Sequence, residues 1–210
     1  MEITAGIHLL QVTKGSYVYL VLGDEPMLID TSFPGRATAI LSEMEKLGLR
    51  PTDIAHILLT HYDVDHIGNA HALQQTSGAQ VWASQEDLPY ILDQRHASGL
   101  RGMLQTVIRT KPPQVDQVYT PGQKIGKIEV IPTPGHTVGH VSFLCGETLL
   151  SGDLVISSGN KLRAAPALLT WDKAALKRSL SAIKKREFTW VCPAHGEPVQ
   201  RGNLWEALLG

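Results

Sequence analysis

The chain has 210 residues, of which 43% are hydrophobic, so a substantial packed core is expected and disorder is not. Nineteen Lys and Arg against 20 Asp and Glu give a net charge of −1, which argues against nucleic acid or an anionic membrane as the main partner. The two cysteines, Cys145 and Cys192, form no CxxC pair and indicate neither a disulfide framework nor a thiolate zinc site. With no signal-peptide pattern and no apolar run of membrane-spanning length, we expect a cytoplasmic protein.

The first half of the chain alternates predicted strands with predicted helices. Runs of β-branched and aromatic residues predict strands, and apolar residues at helical spacing predict helices. The expected order is strands at 16–22 and 27–30, a helix from Pro34-Gly35 to Gly48, a strand at 54–60, a helix ending near Gln75 and a strand at 79–83.

The segment 84–123 interrupts this alternation. It contains four prolines and mixes helical pattern with loop, which predicts an insertion over one end of the sheet that covers the substrate. Beyond it we expect strands at 128–132, 141–145, 148–151 and 190–192, and a helix at 173–186. Two successive halves of this kind suggest a single α/β domain over 1–210 with two sheets packed face to face, although the pattern alone also fits an ordinary layered fold.

Four metal-ligand side chains lie together where one predicted strand ends. Residues 60–68 are T-H-Y-D-V-D-H-I-G, which places His61, Asp63, Asp65 and His66 within six positions. A lone histidine is more often a surface or core residue than a ligand. Buried carboxylates in such number need cationic partners, and exposed ones would not follow an apolar strand directly. A divalent cation resolves this conflict.

Three further candidates each follow a predicted strand. They are His136 in P-T-P-G-H, Asp153 in L-L-S-G-D and His195 in V-C-P-A-H-G. Each is weak alone, because such sequences are usually turns. Together with the first four they make seven candidate ligands, enough for two metal ions that share one bridging ligand.

The ordered set resembles the metallo-β-lactamase superfamily of binuclear metallohydrolases. The family signature is HxHxDH, then a GH-containing loop, then GD and a final HG, and the similarity runs from about residue 30 to 195. It implies a four-layer αββα sandwich with helices outside two mixed sheets. The segment Leu28-Ile29-Asp30-Thr31 resembles an early family element whose acid supports the site without ligating.

The resemblance also implies which residues bind the metals. The first ion would be held by His61, residue 63 and His136, the second by Asp65, His66 and His195, with Asp153 as the bridge.

Position 63 departs from the family pattern, because Asp63 stands where the family has its second histidine. Either Asp63 is an oxygen ligand, which we favour because the other six positions fit, or the first site is degraded and one metal remains. As a ligand, Asp63 would cancel the positive charge that two divalent ions keep in the usual set. Zinc is the expected metal, and the harder donor also admits iron or manganese. The diiron branch of the superfamily places glutamate here.

The resemblance and the ligands together indicate a hydrolase of a small ester-like bond, such as a thioester, lactone or carboxylic ester. A hydroxide held by the metals would attack the carbonyl carbon, with Asp65 orienting it and Asp153 bridging the ions. The alternatives are a diiron oxidoreductase, although no attached flavin-binding domain is expected, a nucleic-acid or phosphodiester hydrolase, and a non-catalytic metal-binding module. The expected partner is a small-molecule substrate, and the sequence indicates no oligomeric state.

The remaining candidates receive structural interpretations. We expect His140 and Thr137 to orient ligands by hydrogen bonds and Tyr62 to pack in the core. Cys192 is expected to be a buried apolar side chain. The other polar candidates are expected to be structural or exposed: His8, His56, His71, His96, Lys161 and Arg163.

Overall fold

The computed structural model describes all residues from Met1 to Gly210, and they divide into two compact units, Met1–Val118 and Tyr119–Gly210. Each unit contains a mixed β-sheet and helices, which confirms the predicted α/β class with two mixed sheets. Single domains divide in this way too, so the single domain over 1–210 stays a prediction. None of the helices combines the length and the apolar character needed to cross a bilayer.

The first unit is built on a seven-stranded sheet. Its elements are β1 Glu2–Thr4, β2 Ile7–Leu10, β3 Val18–Val21, β4 Met27–Ile29, α1 Ala37–Glu45, β5 His56–Leu58, α2 Val64–Ile67, α3 Ala70–Ser77, β6 Gln80–Ala83, α4 Leu88–Ile91, α5 Gly99–Val107 and β7 Gln117–Val118. The strands lie in chain order, antiparallel from β1 to β4 and parallel from β4 to β7.

The parallel strands β4 and β5 are buried along their whole length. Strands covered on both faces need near-continuous apolar sequence, which the residues Met27-Leu28-Ile29 supply. Leu28 and Ile57 share one core cluster with Ile40 and Met44 of α1. Because parallel strands end at the same edge of a sheet, this packing places the residues after β4 and after β5 side by side.

The second unit is built on a six-stranded sheet and a separate two-stranded ribbon. Its elements are β8 Lys124–Ile125, β9 Ile128–Pro132, β10 Val141–Cys145, β11 Thr148–Gly152, β12 Val155–Ser157, β13 Leu162–Ala164, α6 Lys173–Lys184, β14 Trp190–Pro193, β15 Val199–Gln200 and α7 Leu204–Leu209. The large sheet has the order β15-β14-β11-β10-β9-β8, and only β11 and β14 pair in parallel. The ribbon pairs β12 with β13.

Two expectations for the first unit need correction. The single helix expected up to Gln75 is two helices, α2 and α3, separated at Gly68. A Cβ at Gly68 would lie 2.4 Å from the carbonyl oxygen of Ser32, so the chain here must pass close to another backbone. The segment 84–123 is not wholly an insertion, because its residues 117–118 form β7 and pair with β6. Its role as a substrate cover stays a prediction.

Candidate functional site

Asp30 organises the ligand loop of the first unit. It directly follows β4 and has a positive φ of 59°, which an aspartate tolerates better than most side chains. Its Oδ1 accepts the backbone N–H of Thr60 at 2.8 Å, and its Oδ2 accepts the Thr60 hydroxyl at 2.7 Å. The same Oδ2 lies 2.8 Å from Nδ1 of His66. Asp30 therefore fixes the ring of His66 and turns Nε2 away from itself, as the resemblance implied for a supporting acid.

The four predicted ligands of the first unit lie close together. The buried rings of His61 and His66 have their centroids 3.9 Å apart. Nε2 of His61 lies 3.4 Å from Oδ2 of Asp63, and Nε2 of His66 lies 3.8 Å from Oδ2 of Asp65. Each imidazole thus faces one carboxylate through its Nε2 atom. In His66, the hydrogen bond between Nδ1 and Asp30 directs Nε2 towards Asp65.

Asp63 also contacts a buried arginine that the sequence analysis did not assign to the site. Nε of Arg101, in α5, lies 2.6 Å from Oδ1 of Asp63, and both side chains are almost buried, with 10% and 13% exposure. The guanidinium lies over the ring of Tyr62, 5.4 Å from its centroid, and Tyr62 stacks on Tyr90 at 4.4 Å. One oxygen of Asp63 therefore faces a cation and the other faces His61.

The ion pair between Asp63 and Arg101 changes the charge expected at this position. Burial lowers the pKa of Arg101, but Asp63 and Tyr62 together outweigh that effect, so the pKa lies above its ordinary value and the guanidinium is charged. Burial raises the pKa of Tyr62, with Arg101 opposing, so the phenol is neutral. The expectation that Asp63 would cancel the positive charge of the metal cluster did not include this guanidinium, which places one positive charge beside the carboxylate.

Three predicted ligands lie together in the second unit. Oδ2 of Asp153 is 3.4 Å from Nε2 of His136 and 3.3 Å from Nε2 of His195. Asp153 follows β11 and His195 follows β14, and these are the two strands that pair in parallel, so their ends meet at one edge. The turn that follows His195 requires glycine at position 196, because φ is 91° there and a Cβ would lie 2.0 Å from the carbonyl oxygen of Ser157.

A series of hydrogen bonds between uncharged groups supports the backbone of Asp153. Its backbone N–H donates to Nε2 of His140 at 3.0 Å, which assigns the ring proton to Nδ1. That nitrogen lies 2.9 Å from the hydroxyl of Thr133, which lies 2.9 Å from the hydroxyl of Ser142. Ser142 donates in turn to the carbonyl of Ser151 at 3.1 Å. His140 thus orients a predicted ligand, as expected from its place beside His136.

Three of the four carboxylate–imidazole distances between predicted ligands suit a shared cation better than a direct hydrogen bond, and the fourth, from Nε2 of His66 to Oδ2 of Asp65, is longer at 3.8 Å. Donor atoms about 2.0–2.2 Å from one tetrahedral ion lie roughly 3.3–3.5 Å from each other. Nitrogen–oxygen hydrogen bonds are usually shorter, at about 2.7–3.2 Å. The contacts of His61 with Asp63 at 3.4 Å, and of Asp153 with His136 at 3.4 Å and His195 at 3.3 Å, match the first range. Imidazole and carboxylate are also the donors that zinc, iron and manganese accept, so the residues present fit the implied metals.

The side chains interpreted as structural mostly conform. Cys192 is fully buried, and burial raises the pKa of its thiol, so it is not an activated nucleophile. Tyr62 is buried at 4% exposure in the stack with Tyr90, as a packing side chain should be. Lys161 and Arg163 are exposed. Nδ1 of His56 accepts the indole N–H of Trp82 at 3.1 Å, which is a structural contact.

Arg101 is the residue that sequence reasoning missed. It lies far from Asp63 along the chain, and no spacing rule joins the two. A signal was nevertheless present, because a carboxylate in a position that usually holds a neutral imidazole calls for a cation. The segment 84–123 offered three arginines, Arg95, Arg101 and Arg109. Only the fold identifies which of them contacts Asp63.

Comparison with known proteins agrees with the fold. The sequence profile of the Metallo-beta-lactamase superfamily matches residues 12–195. The uncharacterized protein YobT of Bacillus subtilis is 32% identical over 83% of this chain and 79% of its own length. A hydroxyacylglutathione hydrolase of Rhodospirillum rubrum is 31% identical over 85% of this chain but only 63% of its own length.

Solved structures show the same fold. A metallo-beta-lactamase family protein of Thermus thermophilus superposes with a TM-score of 0.77 at 24% identity, covering 99% of this chain and 79% of that one. A Cronobacter sakazakii metallo-beta-lactamase gives a TM-score of 0.75 at 23% identity, covering 93% and 77%. The chain therefore belongs to the metallo-β-lactamase superfamily, as a hydrolase of the metallo-β-lactamase fold.

Proposed function

We propose that the chain hydrolyses a small ester-like bond, a thioester, lactone or carboxylic ester, with two divalent metal ions. The seven proposed ligands are His61, Asp63, Asp65, His66, His136, Asp153 and His195. The observation that carries the proposal is Oδ2 of Asp153, which lies 3.4 and 3.3 Å from two imidazole nitrogens. An oxygen so placed suits a carboxylate shared by two ions.

The chemistry divides between the metals and the chain. Bound divalent ions would supply Lewis-acid activation of water and of the substrate carbonyl. Asp65 would orient that water and accept its proton, and its partly exposed side chain, at 16% exposure beside the buried His66, supports this role. Its backbone is held by the Ser16 hydroxyl, which donates to the carbonyl of Asp65 at 2.6 Å.

The substrate class rests on two further observations. A relative at 31% identity is named for hydrolysing hydroxyacylglutathione, which supports an ester-like bond. A cavity of about 260 Å³ in the first unit lies against Val64 and Ile67 of the ligand-bearing helix α2. Its remaining lining comes from the segment 84–123, with Tyr90 and Arg109 among the contacts, so this segment is suited to cover a small substrate.

The proposal also covers the metal and the compartment. Zinc is the expected ion because histidines supply most of the donors, and the oxygen of Asp63 keeps iron or manganese as alternatives. The two cysteines are buried thiols, which suits the reducing cytoplasm.

The test is a substrate panel on protein loaded separately with zinc, manganese and iron. The panel contains a thioester, a lactone, a carboxylic ester, RNA and DNA, and the compared variants are His136→Ala and His71→Ala. His71 is the matched control, because its Nδ1 lies 3.1 Å from the carbonyl of Pro112 and it is not a proposed ligand. We expect turnover of at least one ester-like substrate, a loss of about 10²-fold or more in His136→Ala, and near-normal rates in His71→Ala.

Three results would contradict the proposal, each in a different direction. No turnover of any ester-like substrate at full metal occupancy would indicate a non-catalytic metal-binding module. Salt-dependent cleavage of RNA or DNA would indicate a phosphodiester hydrolase. A visible absorption spectrum of bound iron that changes on reduction, without hydrolysis, would indicate a diiron oxidoreductase.

A further inference from the structure

We infer that Arg101 is a positioning residue that makes Asp63 act as a neutral metal ligand, so that the Asp63–Arg101 pair replaces one histidine. The inference rests on the proposed metal binding and adds to it a residue outside the ligand set. It concerns the first unit alone, where all the contacting groups lie.

The geometry of Asp63 separates its two oxygens by function. Oδ1 lies 2.6 Å from Nε of Arg101, while Oδ2 lies 3.4 Å from Nε2 of His61. A carboxylate that is not fixed can rotate and present either oxygen or both. With Oδ1 engaged by the guanidinium, only Oδ2 is presented beside His61, and one donor atom is also what an imidazole offers.

The position of Arg101 is itself fixed by packing. The guanidinium lies 5.4 Å from the centroid of the Tyr62 ring, and Tyr62 stacks on Tyr90 at 4.4 Å with planes 13° apart. Tyr62 immediately precedes Asp63, so the aromatic stack holds the arginine against the same loop that carries the ligand. The cation is only 10% exposed, and solvent therefore screens its interaction with Asp63 weakly.

The charges complete the inference. Asp63 contributes one negative charge and Arg101 one positive charge, so the pair is neutral overall. The usual histidine at this position is neutral as well. The pair therefore returns to the site the positive character that an aspartate alone would remove, while keeping an oxygen donor.

This inference predicts how metal affinity follows the net charge of the pair. Asp63→His leaves the Arg101 charge in place and makes the position more positive than in the native protein. Arg101→Met leaves the Asp63 charge and makes it more negative. The double variant D63H/R101M is neutral again. Because a cation binds more weakly beside an additional positive charge, affinity should fall in the order Arg101→Met, then native and double variant together, then Asp63→His.

The experiment measures the dissociation constants of both zinc ions by competition with a chromogenic chelator, and compares the constant that responds to substitution at Asp63. The melting temperature of each metal-free protein is recorded in parallel. We expect Asp63→His to bind at least about tenfold more weakly than the native protein, or about 1.4 kcal/mol, and Arg101→Met at least about tenfold more tightly. The double variant should lie within about threefold of the native value, and its metal-free form should melt higher than that of Asp63→His.

The matched control is Arg95→Met. Arg95 is exposed and lies over the ring of Tyr90, 5.5 Å from its centroid, in the same segment as Arg101. Its substitution removes the same charge without touching Asp63, so metal affinity and the metal-free melting temperature should both stay at the native values. If Asp63→His does not fold, Asp63→Asn can be used in its place, because asparagine is neutral like histidine and keeps the shape of aspartate. The comparison is then between Asp63→Asn and D63N/R101M.

The outcomes separate this inference from the proposed function. Equal zinc affinity in Asp63→His and D63H/R101M would overturn the inference. It would also be overturned if Arg101→Met bound zinc with native affinity and its melting temperature fell by the same amount with and without zinc. Both results would indicate a merely structural arginine. Those results on a native protein that binds zinc would leave the proposed function standing. A native protein that binds no divalent ion would overturn both.

Discussion

The two units support their candidate ligands with different kinds of groups. In the first unit the supports are charged: the carboxylate of Asp30 lies 2.8 Å from Nδ1 of His66, and the guanidinium of Arg101 lies 2.6 Å from Asp63. In the second unit the support of Asp153 is neutral, running from His140 through Thr133 to Ser142. Both arrangements fix a ligand, but they fail differently when one member is removed.

The two kinds of support should differ in how much stability the protein loses when one supporting group is removed. Removing one member of a buried ion pair leaves a buried charge, which typically destabilises a protein by about 3–5 kcal/mol. Removing one hydroxyl from a neutral chain leaves one polar group less well bonded, at about 1–3 kcal/mol. We therefore expect a loss at a ligand to have the largest effect on function, a loss at a charged support the next, and a loss at a hydroxyl the smallest.

The largest effect should come from Asp153→Ala. If Asp153 bridges two ions, this variant should lose at least one ion per chain and about 10²–10³-fold in turnover. Its melting temperature should also fall, because metal binding to the native state stabilises it. Elemental analysis and steady-state kinetics check this, with Asp24→Ala as the exposed control. If Asp153→Ala still bound two ions and turned over substrate at the native rate, Asp153 would not be the bridging ligand.

The charged support of the first unit is tested by Asp30→Ala. Loss of the carboxylate releases the ring of His66 and should lower metal affinity about 10–100-fold. Asp30→Asn is the informative partner, because asparagine tolerates the φ of 59° and keeps the shape while removing the charge. Metal titration should place the asparagine variant between native and alanine. Native affinity in Asp30→Asn would show that shape matters here and charge does not.

The neutral support of the second unit is tested by Thr133→Val. The substitution keeps the volume but breaks the hydroxyl chain behind His140, and should lower the free energy of unfolding by about 1–3 kcal/mol. Metal content should remain native. Denaturant unfolding measures the loss against Thr76→Val, whose hydroxyl bonds only the exposed carbonyl of Ala72. A lost metal ion in Thr133→Val would mean that the two supports do not differ as described.

The smallest effect concerns a charge outside both ligand sets. Asp172 caps α6, and its Oδ1 accepts the N–H groups of Ala175 and Ala174, which holds the pKa of the carboxyl below its ordinary 3.8. A lowered pKa means stability that is present above pH 3.8 and lost as pH falls through the pKa of the folded state. Asparagine at position 172 also caps the helix but does not titrate. The native protein should therefore melt higher than Asp172→Asn near neutral pH, and this difference should disappear once the pH falls below the folded-state pKa of Asp172. An advantage independent of pH would contradict this.

Some elements could be predicted because a local pattern determines them. Strands β9 and β10 have the bounds 128–132 and 141–145 that were predicted, since runs of apolar and β-branched residues end there at Pro, Gly and turn sequences. The helix α7, Leu204–Leu209, was not predicted, because six residues are too few to show helical periodicity. Its burial depends on tertiary packing, in which Trp205 is fully buried and donates to the carbonyl of Leu180.

The candidate site divides in the same way. The ligand types and the supporting Asp30 follow from short motifs at strand ends, and the structure places them together within each unit. Arg101 could not be found from the sequence, because its contact with Asp63 depends on how α5 packs beside Tyr62. A motif records the residues of one loop, whereas the charge at that loop also depends on residues brought there by the fold.

The central claim is that this chain holds two divalent ions through its seven proposed ligands. The most direct test is the number of metal ions bound per chain in the native protein, measured by elemental analysis after purification with excess zinc and removal of unbound metal. We expect two ions per chain. One ion would support a mononuclear site in which Asp63 does not bind metal, and none would contradict the metal-dependent hydrolase altogether.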